Sequence, residues 1–131
     1  MPSAAVQLLT VLIVDDNDDT RDVLRRMLEV RGYAVVEAAN GAAAVDRARR
    51  LCPDLILLDL NMPKMDGLEA AKLIRTECAG ANHDARIVAL TAFDTYGMEA
   101  AAKEAGCDGY FLKPISPELL DKILRQFLLS L

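Results

Sequence analysis

Val11-Leu12-Ile13-Val14-Asp15-Asp16 and, forty-odd residues on, Leu55-Ile56-Leu57-Leu58-Asp59 are apolar runs that end abruptly in carboxylates. Short continuous apolar runs of this kind suit strands buried on both faces of a sheet. Three more follow the same plan. Ile87-Val88-Ala89-Leu90 leads to Thr91, Tyr110-Phe111-Leu112 leads to Lys113-Pro114, and Tyr33–Glu37 forms a shorter run with no such terminal group. Between them lie segments of helical period. The alternation predicts a parallel sheet with helices on both faces. Right-handed crossovers then bring every strand's carboxyl end to one edge, where α/β proteins bind their ligands.

Working outward, the first helix is expected over about 17–31, with Val23, Leu24, Met27, Leu28 and Val30 as its buried stripe. Gly32 is placed to end it in a left-handed cap. Asn40-Gly41 opens an alanine-rich helix that runs to about Leu51 and is stopped by Pro53. Strands are expected over 54–58, 86–90 and 109–112. A third helix should carry Leu68, Ala71 and Ile74, and a short fourth should carry Met98, Ala101, Ala102 and Ala105. Ser116 reads as an N-cap with Pro117 at the first helical position, before a last helix that reaches about Leu128. Five strand–helix units account for nearly all of the chain. The second strand, short and without a functional terminus, belongs at the outside.

Composition limits the function classes. The chain has 131 residues, 53% hydrophobic and 27% charged, enough apolar material for one well-buried core. Its net charge of −5 argues against nucleic-acid binding, which needs a concentrated basic surface. No segment is long and apolar enough to span a bilayer, and the apolar stretch before Asp15 has none of the basic residues that open a secretory leader. The three cysteines, Cys52, Cys78 and Cys107, form no CxxC pair and read as reduced, mostly buried thiols. His83 is the one histidine and reads as a solvated loop residue, which removes the usual Ser-His and Cys-His machinery unless His83 itself serves. A cytoplasmic protein is the expectation.

Asp15, Asp16 and Asp59 on one sheet edge raise an electrostatic difficulty. Two like charges about 4 Å apart repel by roughly 4 kcal/mol at an effective dielectric near 20. Lys113 supplies one positive charge, and a hard divalent cation bound by oxygen would supply the rest. Mg²⁺ suits a shallow site of few ligands because it keeps several waters and completes its shell with phosphate oxygen. Singly, an Asp-Asp pair can be a helix cap, Thr91 a cap and Lys-Pro a turn. Met62 and Met65 read as core or loop packing. Jointly, the acids, the hydroxyl and the ammonium describe a site for a divalent cation and a phosphoryl group.

VLIVDDN at 11–17, DLILLDLNMPKMDG at 54–67, IVALTA at 87–92 and GCDGYFLKPI at 106–115 stand in the order and spacing of one family. In these stretches the chain strongly resembles the receiver domain of two-component response regulators (the CheY-like superfamily), over roughly residues 10–129. The resemblance implies a flavodoxin-like (βα)5 fold of strand order 2-1-3-4-5. It implies one receiver domain over 1–131, with a core of about 10–129 and an extension at 1–9, either standing alone or cut from a longer protein such as a hybrid kinase.

By the same resemblance Asp59 is the phosphoacceptor nucleophile. Asp15, Asp16, Asp59 and the backbone carbonyl of Asn61 would hold Mg²⁺, for which Mn²⁺ could substitute. Lys113 would pair with Asp59 and then with a phosphate oxygen. Thr91 would bond a second phosphate oxygen, and Tyr110 would turn inward as Thr91 moves. Lys113-Pro114 would be cis. The implied phosphodonor is a histidine kinase or histidine phosphotransfer protein. The implied output is an altered surface over the fourth helix, fifth strand and fifth helix, met by a protein partner, by an attached module or by a second copy in a phosphorylation-dependent dimer. Lys64 stands where a small residue is frequent and bears on kinase choice. Asn61 and Phe93, each two residues past a key position, are the implied modulators of self-dephosphorylation.

Three other readings use the same residues differently. A phosphorylation-independent interaction module would keep its partner after Asp59→Asn. An aspartate-nucleophile phosphatase would turn over generic phosphate monoesters, but such enzymes need a second aspartate two residues on, where this chain has Asn61. A flavin-binding module would purify yellow, but it needs a Gly/Ser/Thr-rich phosphate loop that this chain does not have, and the acidic cluster would repel a flavin phosphate.

Overall fold

The computed structural model describes residues 8–62, 67–78 and 85–129. Lys64, Met65 and His83 lie outside them, as does the side chain of Cys78. The elements alternate as predicted: β1 (Thr10–Val14), α1 (Asp18–Val30), β2 (Ala34–Ala38), α2 (Gly41–Leu51), β3 (Leu55–Asp59), α3 (Gly67–Cys78), β4 (Arg86–Thr91), α4 (Met98–Glu104), β5 (Gly109–Leu112) and α5 (Pro117–Leu124). The five strands pair in parallel in the order β2-β1-β3-β4-β5. β2 lies at one edge, as its short run implied. Among the described residues no helix is long and apolar enough to cross a membrane.

Alternation along the strands sorts the core into two layers. Leu12, Val14, Ile56, Leu58, Ile87 and Ala89 face α2, α3 and α4. Val11, Ile13, Leu55, Leu57, Val88 and Leu90 face α1 and α5. All are buried, which is why the sequence shows continuous apolar runs rather than alternation.

The punctuation expected at Gly32, Asn40, Pro53 and Ser116 is present, and Asn17 and Cys52 add to it. Asn17, Asn40 and Ser116 cap their helices by accepting from the backbone N–H of Thr20, Ala43 and Leu119. Gly32 has φ +91° and turns the chain out of α1, while Cys52, at φ 45°, does so for α2 just before Pro53. Two details differ from expectation. Leu24 and Leu28 are buried, but Val23 is 56% and Val30 85% exposed. Val30 lies more than half a turn around the helix from Leu28, and Val23 sits at the margin of the stripe. The last helix ends at Leu124 and continues as a π-helical turn over Arg125–Leu129, which still buries Leu128.

Away from the site edge, Arg75 of α3 braces the opposite end of the sheet. Its guanidinium donates to the carbonyls of Gly106 at 2.8 Å and Ala85 at 2.7 Å and pairs with Asp108. Asp108 in turn accepts from the Ile87 N–H at 2.8 Å, so one arginine ties α3 to the beginnings of β4 and β5.

Candidate functional site

Asp15 follows β1 directly, Asp59 and Thr91 are the last residues of β3 and β4, and Lys113 follows β5. The parallel register therefore brings them to one edge. Asp15 is 2% exposed, Asp59 3% and Thr91 0%, and Asp16 is exposed. One carboxylate oxygen from each of Asp15, Asp16 and Asp59 lies within 4.8 Å of the others. The sequence predicted this convergence, and these distances bear it out.

Each carboxylate is held by local turn geometry. Asp15 Oδ1 accepts from the Asn17 N–H at 2.9 Å, and Asp59 Oδ1 accepts from the Asn61 N–H at 2.9 Å. Both are backbone bonds two residues on, the ordinary use of aspartate at a strand end. The second oxygens face Lys113. Its ammonium donates to Asp15 Oδ2 at 2.6 Å and stands 3.4 Å from Asp59 Oδ2. Before any modification, then, the nearer partner of Lys113 is Asp15, whereas the family resemblance pairs it with Asp59. The Lys113-Pro114 peptide is cis, as that resemblance implies.

Burial pushes the Asp59 carboxyl above the ordinary range. The Asn61 N–H and Lys113 oppose the shift, and the Asp15 charge adds to it. A carboxyl raised on folding costs the metal-free fold stability progressively as pH climbs through the carboxylate range, because the folded state holds the proton longer. A cation at this spot would remove that cost.

Thr91, Asn61 and Phe93 form a compact hydrogen-bonded knot. Thr91 Oγ1 lies 2.7 Å from Asn61 Oδ1 and 3.0 Å from the Phe93 carbonyl, and it accepts from the Phe93 N–H at 3.1 Å. The Phe93 ring is 67% exposed. Tyr110, half-buried on β5 against the α4 side of the core, donates its hydroxyl to Asp94 Oδ1 at 2.9 Å. Burial and then Asp94 push its phenol up to about 12, so it remains a donor throughout the neutral range.

Sequence reasoning missed three contributors. Arg21 donates to the Asp15 carbonyl at 2.7 Å and to Glu37 at 3.1 Å, and it pairs with Asp18, fixing the turn that carries the acids. Asp94 anchors Tyr110. Gly67 packs its bare Cα against the Asp59 carbonyl and Leu60, where a Cβ would meet backbone at 2.7 Å. Of these, only the Asp66-Gly67 pair carried a sequence signal, because glycine after a strand-end loop marks close backbone approach.

Oxygen ligands of this number and charge, with a neighbouring ammonium, fit a hard divalent cation and not a thiolate- or imidazole-bound metal. Beside the site runs a groove of about 520 Å³ whose walls include Val23, Leu24, Pro114 and Ile115, with Lys113 and Asp19 among its polar lining.

Comparison with known proteins agrees with this geometry. The family model described as "Response regulator receiver domain" matches residues 11–125. The chain is 34% identical over 119 residues to the polar-differentiation response regulator DivK of Brucella anthropi, covering 91% of this chain and 95% of that one. The chemotaxis protein CheY4 of Vibrio cholerae superposes with a TM-score of 0.85 at 33% identity, over 93% of this chain and all of that one. A response regulator from Burkholderia pseudomallei, solved with a phosphorylated aspartic acid, a calcium ion and citrate, superposes with a TM-score of 0.80 at 31% identity. That match covers 91% of this chain and 66% of that one.

Proposed function

The chain belongs to the response regulator receiver domain family, a signalling phosphoacceptor in two-component pathways and not a conventional enzyme, and from that membership we propose that Asp59 is the residue phosphorylated. The observation that carries this is the Asp59 carboxylate itself. It is 3% exposed at the end of β3, with Oδ1 held by the Asn61 N–H and Oδ2 facing Lys113. A carboxylate oxygen attacks the phosphorus of a phosphohistidine, the P–N bond breaks, and an acyl phosphate forms on Asp59. The reaction needs an in-line nucleophile and compensation of charge on the equatorial oxygens.

Asp15, Asp16, Asp59 and the Asn61 carbonyl would hold Mg²⁺, which supplies part of that compensation when bound. Lys113 supplies another part from within 3.4 Å of Asp59. Thr91 Oγ1 offers a hydrogen bond to a phosphoryl oxygen, and its movement frees Tyr110 to turn inward from its hydrogen bond to Asp94. The phosphodonor is a histidine kinase or histidine phosphotransfer protein, and the groove walled by Val23, Leu24, Pro114 and Ile115, which Lys113 also lines, gives its apolar side chains a seat beside the site. The residues form one receiver domain working in the cytoplasm. Its output is a population shift over α4, β5 and α5 that a protein partner or a second copy reads.

Intact mass after incubation with acetyl phosphate tests the assignment. One phosphoryl group is expected in wild type with Mg²⁺, and none with EDTA or in Asp59→Asn. Uptake that survives Asp59→Asn would move the acceptor elsewhere.

The lifetime of the product follows from Phe93. An exposed phenyl ring cannot orient an attacking water by hydrogen bonding, so self-dephosphorylation is expected to be slow to moderate. Phe93→Glu or Phe93→Asn should shorten the half-life of the acyl phosphate severalfold, followed as loss of the mass adduct after the phosphodonor is removed. An unchanged half-life would remove position 93 from the account.

A further inference from the structure

Two donors at the end of β4 converge on one point. Thr91 Oγ1 lies 2.7 Å from Asn61 Oδ1, nearer than its other acceptor, the Phe93 carbonyl at 3.0 Å, and the Ala92 N–H donates to the same Oδ1 at 3.1 Å. Asn61 is an exposed residue whose side chain could lie in water, yet it reaches back over the site. Its own N–H meanwhile bonds Asp59 Oδ1. One residue thus bridges the nucleophile on β3 and the donor pair on β4. Neighbouring N–H and O–H groups aimed at a single oxygen make a small anion-stabilising site. Here a neutral amide oxygen fills it.

We infer that the Asn61 side chain is an internal competitor for the phosphoryl group: in the unmodified chain its amide oxygen holds Thr91 and Ala92, and phosphorylation transfers both donors to a phosphoryl oxygen. This rests on the assignment of Asp59 as acceptor. The exchange runs forward because a charged phosphoryl oxygen is the stronger acceptor. It still has a cost, since the two amide bonds must break before the phosphoryl oxygen can use either donor. The competent arrangement is therefore a minor one in the unmodified protein, and apparent affinity for the phosphoryl group falls by that fraction. Asn61 acts through Thr91 and Ala92 as a positioning residue, quite apart from any use of its backbone carbonyl toward a cation.

The test is calorimetric binding of beryllofluoride with Mg²⁺ to the full chain, comparing wild type, Asn61→Ala, Thr91→Ala and the double variant. Asn61→Ala keeps the backbone carbonyl and removes the competing oxygen. It should bind beryllofluoride roughly three- to tenfold more tightly, the worth of one or two ordinary hydrogen bonds. In the Thr91→Ala background the gain should shrink, because one of the two donors is already gone. Hydrogen exchange supplies a second reading that needs no ligand: the Ala92 amide should exchange faster in Asn61→Ala than in wild type. Equal or weaker binding by Asn61→Ala, beside a wild type that binds, overturns the competitor and leaves the acceptor assignment standing. If wild type binds no beryllofluoride and Asp59→Asn behaves identically, the acceptor assignment fails and the competitor fails with it.

Discussion

Replacing Lys113 with methionine is expected to slow Mg²⁺-dependent phosphoryl uptake by two to three orders of magnitude and to weaken the metal-free fold by about 2 kcal/mol. The first figure is the usual loss on removing one preorganised group that meets developing charge, roughly 10²–10³. Methionine keeps most of the length and volume of the side chain and deletes the ammonium, so packing changes little. The second figure follows from what that ammonium faces. It lies 2.6 Å from Asp15 and 3.4 Å from Asp59, both nearly inaccessible to water. Breaking a buried pair typically costs about 3–5 kcal/mol because a charge is left uncompensated. Proton uptake by Asp59, whose carboxyl burial already raises, limits the loss here, which is why the lower value is expected.

The same reasoning sets the pH dependence. At acid pH the Asp59 carboxyl, which burial raises, is protonated and the lysine has less to compensate. The stability gap between wild type and Lys113→Met should therefore open as pH rises through the carboxylate range and close as it falls. Urea unfolding without metal at pH 7.5 and at pH 4 measures it, and the time course of the mass adduct measures the rate. A gap that is absent at pH 7.5 would mean that the acidic cluster does not depend on this lysine.

How much of this could be read from the residues depends on the range over which each feature acts. Helix caps at Asn40 and Ser116, the left-handed exit at Gly32 and the double-sided burial of the strands are local consequences of a few neighbouring side chains. They were legible. The convergence of Asp15, Asp59, Thr91 and Lys113 was legible for a different reason: parallel strands share one carboxyl edge, so topology alone brings residues from four strands together. What stayed hidden acts across the fold without any period. Nothing in the helix pattern says that Arg75 will brace Gly106 and Asp108, that Asp94 will anchor Tyr110, or that Lys113 will sit nearer Asp15 than Asp59. The exposure of Val23 and Val30 shows the limit of periodicity itself, which marks a stripe but not its width.

Gly67 carries the second large effect, and it acts through backbone. A Cβ built there would lie 2.7 Å from the Asp59 carbonyl oxygen and 2.8 Å from Leu60 Cα. These are main-chain atoms of the strand end that presents the nucleophile, and they cannot swing aside as a side chain could. Gly67→Ala must therefore push the start of α3 away from the end of β3. Overpacking of this kind costs about 1–3 kcal/mol, and the upper end is expected because backbone has to move. The site should suffer with the fold, since the displaced segment begins at Asp59. Beryllofluoride and Mg²⁺ binding should weaken by at least the factor seen in stability.

Gly97 is the natural comparison. Its φ of +82° makes alanine strained, yet nothing lies within 4 Å of its added Cβ and it is remote from the acids in sequence. Gly97→Ala should cost only about 1 kcal/mol, the ordinary penalty for a non-glycine residue in that conformation. Thermal unfolding and beryllofluoride titration on the two variants separate the cases. If Gly67→Ala lost no more stability than Gly97→Ala and bound beryllofluoride as wild type does, the close seat of α3 beneath Asp59 would not be what positions the nucleophile.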